Sequence, residues 1–152
     1  MLPITKIFCP TDFSEPAYKA LKEANDLAMH FNAELILIHV LHPIIIYPAS
    51  VTPGIMDAHV SDDAKRDDIA KKSLEMTLKE KVNGSLKSRS IFAKGNPADE
   101  IVYHAKDEKA DLIVIGTHGF TGWRHLIMGS VAEKVVRLAH CPVLTIPAHN
   151  MK

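Results

Sequence analysis

The sequence predicts an α/β fold, a single open five-stranded parallel sheet with helices on both faces, of the Rossmann-like kind. Three observations carry this expectation. Short apolar runs alternate along the chain with longer segments whose apolar residues recur at helical spacing. Each link between successive strands contains a helix, the kind of crossover that joins parallel strands. The central runs, such as Glu34–Leu41, are nearly continuous in apolar residues, as expected of strands covered on both faces.

Ile4–Cys9 is the first strand, closed by Pro10. Ser14–Phe31 follows as a helix, with Ala17, Leu21, Ala24, Ala28 and Phe31 on one face and Lys19, Lys22, Glu23 and Asp26 elsewhere. Ser14 is its candidate N-cap, and Pro16 falls in the first turn, where a missing N–H costs little. Glu34–Leu41 is the second strand. His42–His59, with three prolines and Gly54, reads as a long loop. From about Ser61 to Val82 the chain reads as a charge-rich helix with Ala70, Leu74 and Leu78 as its apolar stripe, ended by Asn83-Gly84. Leu86–Ala93 alternates polar and apolar residues, which suits a half-exposed edge strand. Pro97–Asp107 is a short helix, Asp111–Ile115 a buried strand, Ser130–Ala139 a helix and Val143–Ile146 a last strand between two prolines.

With 152 residues, 47% hydrophobic and 24% charged, the chain fits one globular domain spanning residues 1–152. A chain of this length buries roughly 70% of its unfolded surface and needs no disulfide or metal staple. Eighteen basic residues balance eighteen acidic ones. That excludes a nucleic-acid binder working through bulk positive charge. Apolar stretches such as Leu35–Ile38 and Ile44–Ile46 fall far short of the roughly 18 residues a membrane span needs. The N-terminal apolar run holds Lys6 and is too short for a signal sequence. Cys9 and Cys141 form no C-x-x-C pair and read as small buried hydrophobes. The expectation is a cytoplasmic protein with reduced thiols and no membrane or nucleic-acid partner.

In such sheets ligands bind beyond the carboxyl ends of the strands, at the point where the strand order reverses. The candidate loops are Pro10–Phe13, the chain from Val40 onward, Gly95–Asn96 and Gly116–Gly129. The first holds no glycine, so G-x-G-x-x-G is absent where it belongs, and no G-x-x-x-x-G-K-[ST] occurs. Both common phosphate loops are excluded. The fourth strand instead runs into Gly116-Thr117-His118-Gly119-Phe120-Thr121-Gly122. After Trp123, Arg124 and His125 the chain reaches Gly129-Ser130, which open a helix. Gly116 and Gly119 allow a tight turn and close backbone approach. Gly129 leaves a helix N-terminus open to an anion, and Ser130 adds a hydroxyl. Ser130-Val131-Ala132-Glu133 equally matches a capping box, in which Ser130 is only an N-cap and Glu133 disfavours a phosphate. Local pattern leaves both readings open.

The combined spacing carries a resemblance. Gly116-x2-Gly119-x9-Gly129-Ser130, after DLIVIG and before Cys141-Pro142-Val143-Leu144, resembles the ATP-binding branch of the universal stress protein family. The likeness covers the whole chain, including the opening Ile7-Phe8-Cys9-Pro10-Thr11-Asp12-Phe13-Ser14. It implies a sheet ordered 3-2-1-4-5, dimerisation through the last strand, and ATP, ADP or AMP bound between strands one and four. By position it implies that Pro10, Thr11 and Asp12 border the ribose and that Val40 meets the adenine through its backbone. Gly116, His118 and Gly119 then line the ribose and phosphate loop, while Met128, Gly129, Ser130 and Val131 hold the phosphates. The chain departs from the family pattern mainly in its His42–His59 insertion and in Trp123.

Each side chain also has a plainer reading. Asp12 bonds the ribose or stands near a magnesium ion carried by the phosphates, or else only closes an Asx-turn. His118 donates to a phosphate or is a polar turn residue. Arg124 and His125 read as a solvated loop face, and Asp62-Asp63 and Asp67-Asp68 as a solvated helix face. Of nine histidines, His39 and His42 straddle a strand end and point apart, so no metal site is expected from side chains alone. Three functions follow: a nucleotide-responsive regulatory dimer read by an unknown protein partner, a slow ATPase or adenylate-transfer enzyme, and a nucleotide-free interaction module. The intact glycine pattern favours the first over the third, and the lack of an evident nucleophile–base pair favours it over the second.

The dimer expectation rests on the last strand. Val143, Leu144, Thr145 and Ile146 are mostly apolar, yet the implied order places them at a sheet edge whose free N–H and C=O groups invite a second strand. Pro142 and Pro147 bound the ladder, and two-fold symmetry favours antiparallel pairing. The opposite edge, Leu86–Ala93, holds Lys87 and Arg89, which discourage pairing.

Overall fold

The computed structural model describes residues 3–43, 53–118 and 128–148. The elements run β1 (Lys6–Pro10), α1 (Glu15–Phe31), β2 (Glu34–Leu41), α2 (Pro53–Lys81), β3 (Ser88–Lys94), α3 (Pro97–Asp107), β4 (Leu112–Gly116), α4 (Ser130–Leu138) and β5 (Val143–Ile146). All strands pair in parallel, in the order β3-β2-β1-β4-β5. This is the order the family resemblance implied.

Register explains the core. Ile7 sits between Leu35 of β2 and Leu112 of β4, so β1 is central and its apolar residues are fully buried. Because successive strand residues point to opposite faces, Ile7, Leu35 and Leu37 meet α1 and α2 on one side. Phe8, Ile36, Ile38 and Ile113 meet α3 and α4 on the other. Ala17, Ala20, Leu21, Ala24 and Ala28 form the buried face of α1, and small residues let that helix lie close to the sheet. Ser14 caps α1 as expected, its hydroxyl accepting from the Ala17 N–H at 3.3 Å.

Several boundaries differ from the sequence reading. The helix α2 starts at Pro53, so residues 53–59 are helical and the expected loop is shorter. A proline in a first turn loses no helical bond, which is why Pro53 misled as loop punctuation. Phe31 is 42% exposed, because α1 ends there and turns through Asn32 in the left-handed region. β1, β3 and β4 each begin one or two residues later than expected and run one residue further. The acidic face of α2 is only partly solvated: Lys94 of β3 reaches Asp63 at 3.1 Å and Asp67 at 2.8 Å. At the β3 edge, Arg89 bridges Glu34 and Glu108, so this edge carries the expected charge.

Candidate functional site

The order of strands reverses between β1 and β4. α1 leaves β1 to one face and α4 leaves β4 to the other, which opens a crevice at the carboxyl ends. A cleft of about 340 Å³ lies there. Nine of the residues named from the sequence line it: Pro10, Thr11, Asp12, Val40, Gly116, His118, Gly129, Ser130 and Val131. Met128 packs its side chain against the α3/α4 core instead. Gly119 lies outside the described residues, as do Trp123, Arg124 and His125. The sequence reading did not name Thr117, Ala17, Ile38, Ile115, Ala132, Pro97 or Ile101, which also line the cleft. Pro97 follows the flagged Gly95–Asn96 loop, and Thr117 sits inside the glycine pattern. The apolar floor has no local signal, since only packing shows which buried residues border a void.

The β1–α1 loop is held by its own side chains. The Thr11 N–H extends the β1–β2 ladder by donating to the Ile38 carbonyl at 2.8 Å. Thr11 Oγ1 accepts from the Phe13 N–H at 3.1 Å, and Asp12 Oδ1 accepts from the Ser14 N–H at 3.0 Å and from the Ser14 hydroxyl. Asp12 thus closes the Asx-turn offered as its plainer reading, and that turn places its carboxylate at the cleft wall.

The two described glycines of the motif serve close approach. A Cβ on Gly116 would stand 2.9 Å from the Pro16 carbonyl oxygen, where the first turn of α1 crosses the end of β4. A Cβ on Gly129 would stand 2.8 Å from the Thr117 carbonyl oxygen, to which the Gly129 N–H donates at 2.5 Å. Neither glycine has a positive φ, so the tight turn expected at Gly116 is not what requires it.

The capping box does not form. Gly129 is the N-cap of α4, and Ser130 is the first helical residue, one position too late for its hydroxyl to cap. No side chain caps this helix among the described residues, and its first bond runs from the Glu133 N–H to the Gly129 carbonyl at 2.9 Å. The N–H groups of Ser130, Val131 and Ala132 thus have no acceptor within the helix, and all three residues line the cleft. Glu133 pairs with Arg137 one turn along, on the side away from the open end. This end carries the partial positive charge of the helix dipole.

His118 completes the wall. Its Nδ1 lies 2.9 Å from Thr117 Oγ1, while its Nε2 is buried with no partner among the described residues. The contact is a hydroxyl–imidazole pair that the sequence reading did not anticipate. Among the described residues no group of three His, Cys, Asp or Glu is placed to hold a metal. Burial pushes the Cys9 thiol up to about 12, leaving it an inert hydrophobe as expected, whereas Cys141 is only half-buried. Among the described residues no helix is long and apolar enough to cross a membrane.

Comparison with known proteins agrees with this fold. The model of the universal stress protein family matches residues 3–147. Universal stress protein MJ0531 of Methanocaldococcus jannaschii is 36% identical over 143 residues, 93% of this chain and 81% of the relative. Universal stress protein YxiE of Bacillus subtilis is 34% identical over 144 residues, 93% of this chain and 97% of the relative. The solved structure of MJ0577, also from Methanocaldococcus jannaschii, matches with a TM-score of 0.82 at 32% identity, covering 99% of this chain and 100% of that one.

Proposed function

The chain belongs to the universal stress protein family, and from that premise we propose that it binds an adenine nucleotide in the switch-point cleft and acts as a nucleotide-responsive regulatory homodimer in stress response. The observation that carries the reading is the uncapped N-terminus of α4, facing the Thr11–Asp12 loop and Val40 across one cleft. In this reading Pro10, Thr11 and Asp12 border the ribose and the Val40 backbone meets the adenine. Gly116, His118 and Gly119 line the ribose and phosphate loop, and Gly129, Ser130 and Val131, with Met128 contributing only through its main chain because its side chain packs inward, hold the phosphates of ATP, ADP or AMP. Solved universal stress proteins in complex with cAMP and with dAMP share this fold at 22% and 20% identity, which makes adenine nucleotides the first ligands to test.

Mg²⁺ fits only as a companion of the nucleotide. Asp12 is the one carboxylate among the described lining residues, and one of its oxygens already serves the Ser14 turn. Such a metal keeps most of its ligands as phosphate oxygens and water.

For the dimer, the outer edge of β5 faces no other strand in the sheet, and Leu144 is 39% exposed. Val136 and Leu138 of the adjacent α4 are exposed as well. Lys19 donates to the Ala148 carbonyl at 2.6 Å, which draws the start of the C-terminal tail toward α1. These features support pairing of Val143, Leu144, Thr145 and Ile146 with a second copy.

The direct test is to denature purified protein and identify the released small molecules by mass spectrometry, with calorimetric titration of ATP, ADP and AMP alongside. An adenine nucleotide is expected. Neither release nor binding after ATP supplementation would overturn the reading and leave a nucleotide-free dimeric module. A second reading, a slow ATPase or adenylate-transfer enzyme, is favoured by the Thr117–His118 contact. Single-turnover hydrolysis within the roughly 1–10³ s⁻¹ typical of enzymes, abolished by His118→Gln, would select it.

A further inference from the structure

The end of the β1–β2 ladder contains an exchange of partners that bears on the cleft. In this parallel pair the even-numbered residues of β2 direct their N–H and C=O groups toward β1, as the bond from the Thr11 N–H to the Ile38 carbonyl shows. The next rung would join the Val40 N–H to the Thr11 carbonyl. That rung is not made. His39 Nδ1 lies 2.8 Å from the Thr11 carbonyl oxygen instead. A carbonyl only accepts, so Nδ1 carries the proton and donates. Among the described residues no backbone carbonyl accepts from the Val40 N–H, and Val40 lines the cleft.

The His39 ring is fixed on both sides. It is 9% exposed, stacks on Phe13 with centroids 4.4 Å apart, and meets Phe92 of the neighbouring strand at 6.4 Å. Phe13 itself has φ 65°, a left-handed conformation that bulky residues rarely adopt, and its ring contact with His39 helps hold it there. One imidazole thereby ties the Thr11–Asp12–Phe13 loop to β2 and takes the acceptor that would close the strand end.

We propose that His39 is a positioning residue for nucleotide binding: by capturing the Thr11 carbonyl it holds the loop carrying Asp12 at the cleft and keeps the Val40 main-chain N–H free to donate to an acceptor on the ligand. The adenine ring offers that partner as a nitrogen lone pair on its edge. This proposal rests on the adenine-nucleotide reading above and assigns a determinant of base recognition to a side chain that does not itself line the cleft.

The test uses two variants that separate the ring from the donor. His39→Phe keeps an aromatic ring against Phe13 and Phe92 but cannot donate. His39→Asn places an amide N–H near the position of Nδ1 but loses the ring. Amide hydrogen exchange by NMR on the unliganded protein, and calorimetric titration with AMP and ATP, read both arms. In His39→Phe the Thr11 carbonyl is released to Val40, so the Val40 amide becomes protected at least tenfold and nucleotide affinity falls at least tenfold. In His39→Asn both return to within about threefold of wild type, the margin of one hydrogen bond's uncertain worth. An unchanged Val40 amide and unchanged affinity in a folded His39→Phe protein would overturn the proposal, as would equal loss of affinity in both variants. If the wild type binds no adenine nucleotide, the functional reading fails. The exchange of the Val40 amide then still decides whether His39 controls the strand end.

Discussion

Replacing Gly129 by alanine tests how the α4 N-terminus is placed. The added Cβ would lie 2.8 Å from the Thr117 carbonyl oxygen, whereas carbon–oxygen contacts settle near 3.3–3.6 Å. The two backbones must therefore part by about 0.5–0.8 Å. Both are anchored, Thr117 just past β4 by its bond to the Ile146 carbonyl and Gly129 at the start of α4, and the move stretches the Gly129 N–H···Thr117 bond, now 2.5 Å. Overpacking of this kind costs about 1–3 kcal/mol. At this chain length each kcal/mol lowers Tm by roughly 2–4 °C. The same shift carries the N–H groups of Ser130, Val131 and Ala132 away from the place proposed for the phosphates, and losing about 1.4 kcal/mol of charge-assisted hydrogen bonding should then weaken ATP binding about tenfold. Scanning calorimetry and ATP titration read the two effects separately. A wild-type Tm would refute the close approach. A lowered Tm with unchanged ATP affinity would refute the assignment of these N–H groups to the phosphates. Larger β-branched residues at Gly129 are poorer probes, because they add strain to the fold before they meet a ligand.

Ser130→Ala is expected to leave stability nearly unchanged, within about 0.5 kcal/mol, because Ser130 is not the N-cap; a loss near the 1 kcal/mol typical of a cap would reinstate the capping box. For Asp111, burial alone raises the carboxyl pKa, but bonds from the Thr5 N–H, the Thr5 hydroxyl and the Lys6 N–H outweigh it and hold the group below its ordinary value. A depressed folded pKa stabilises above the unfolded pKa and is lost as pH falls through the folded one. Denaturant unfolding should therefore show Asp111→Asn about 1–2 kcal/mol less stable at neutral pH, with the gap closing below about pH 4; a gap independent of pH would show that the charge contributes nothing. Leu144→Lys should turn the proposed dimer into monomer by light scattering, and a wild type that is monomeric at micromolar concentration, with or without ATP, would dispose of β5 pairing.

The elements themselves were legible because each obeys a local rule. The bounds of β2, α3 and β5 follow directly from apolar runs, a proline start and flanking prolines. α2 was read short because Pro53 signals a loop and a helix start with the same residue. Whether Ser130 caps α4 stays open in the sequence because the capping-box pattern fixes spacing but not which residue first takes helical dihedrals, a one-residue difference set by where Gly129 docks on Thr117.

The sequence by itself determined the alternation of strand and helix, the apolar character of the central strands and the glycine spacing of the cleft. Family likeness, carried by that spacing, supplied the strand order. Tertiary structure alone decided what each of these residues does there. Asp12 is both turn and wall because the loop that its Oδ1 closes on Ser14 lies at the rim of the cleft. His39 was legible only as a histidine without metal partners, since the carbonyl it binds lies 28 residues earlier in the chain. Patterns in sequence report the period of local structure, while hydrogen-bond partners across a sheet depend on register, which exists only after the strands have paired.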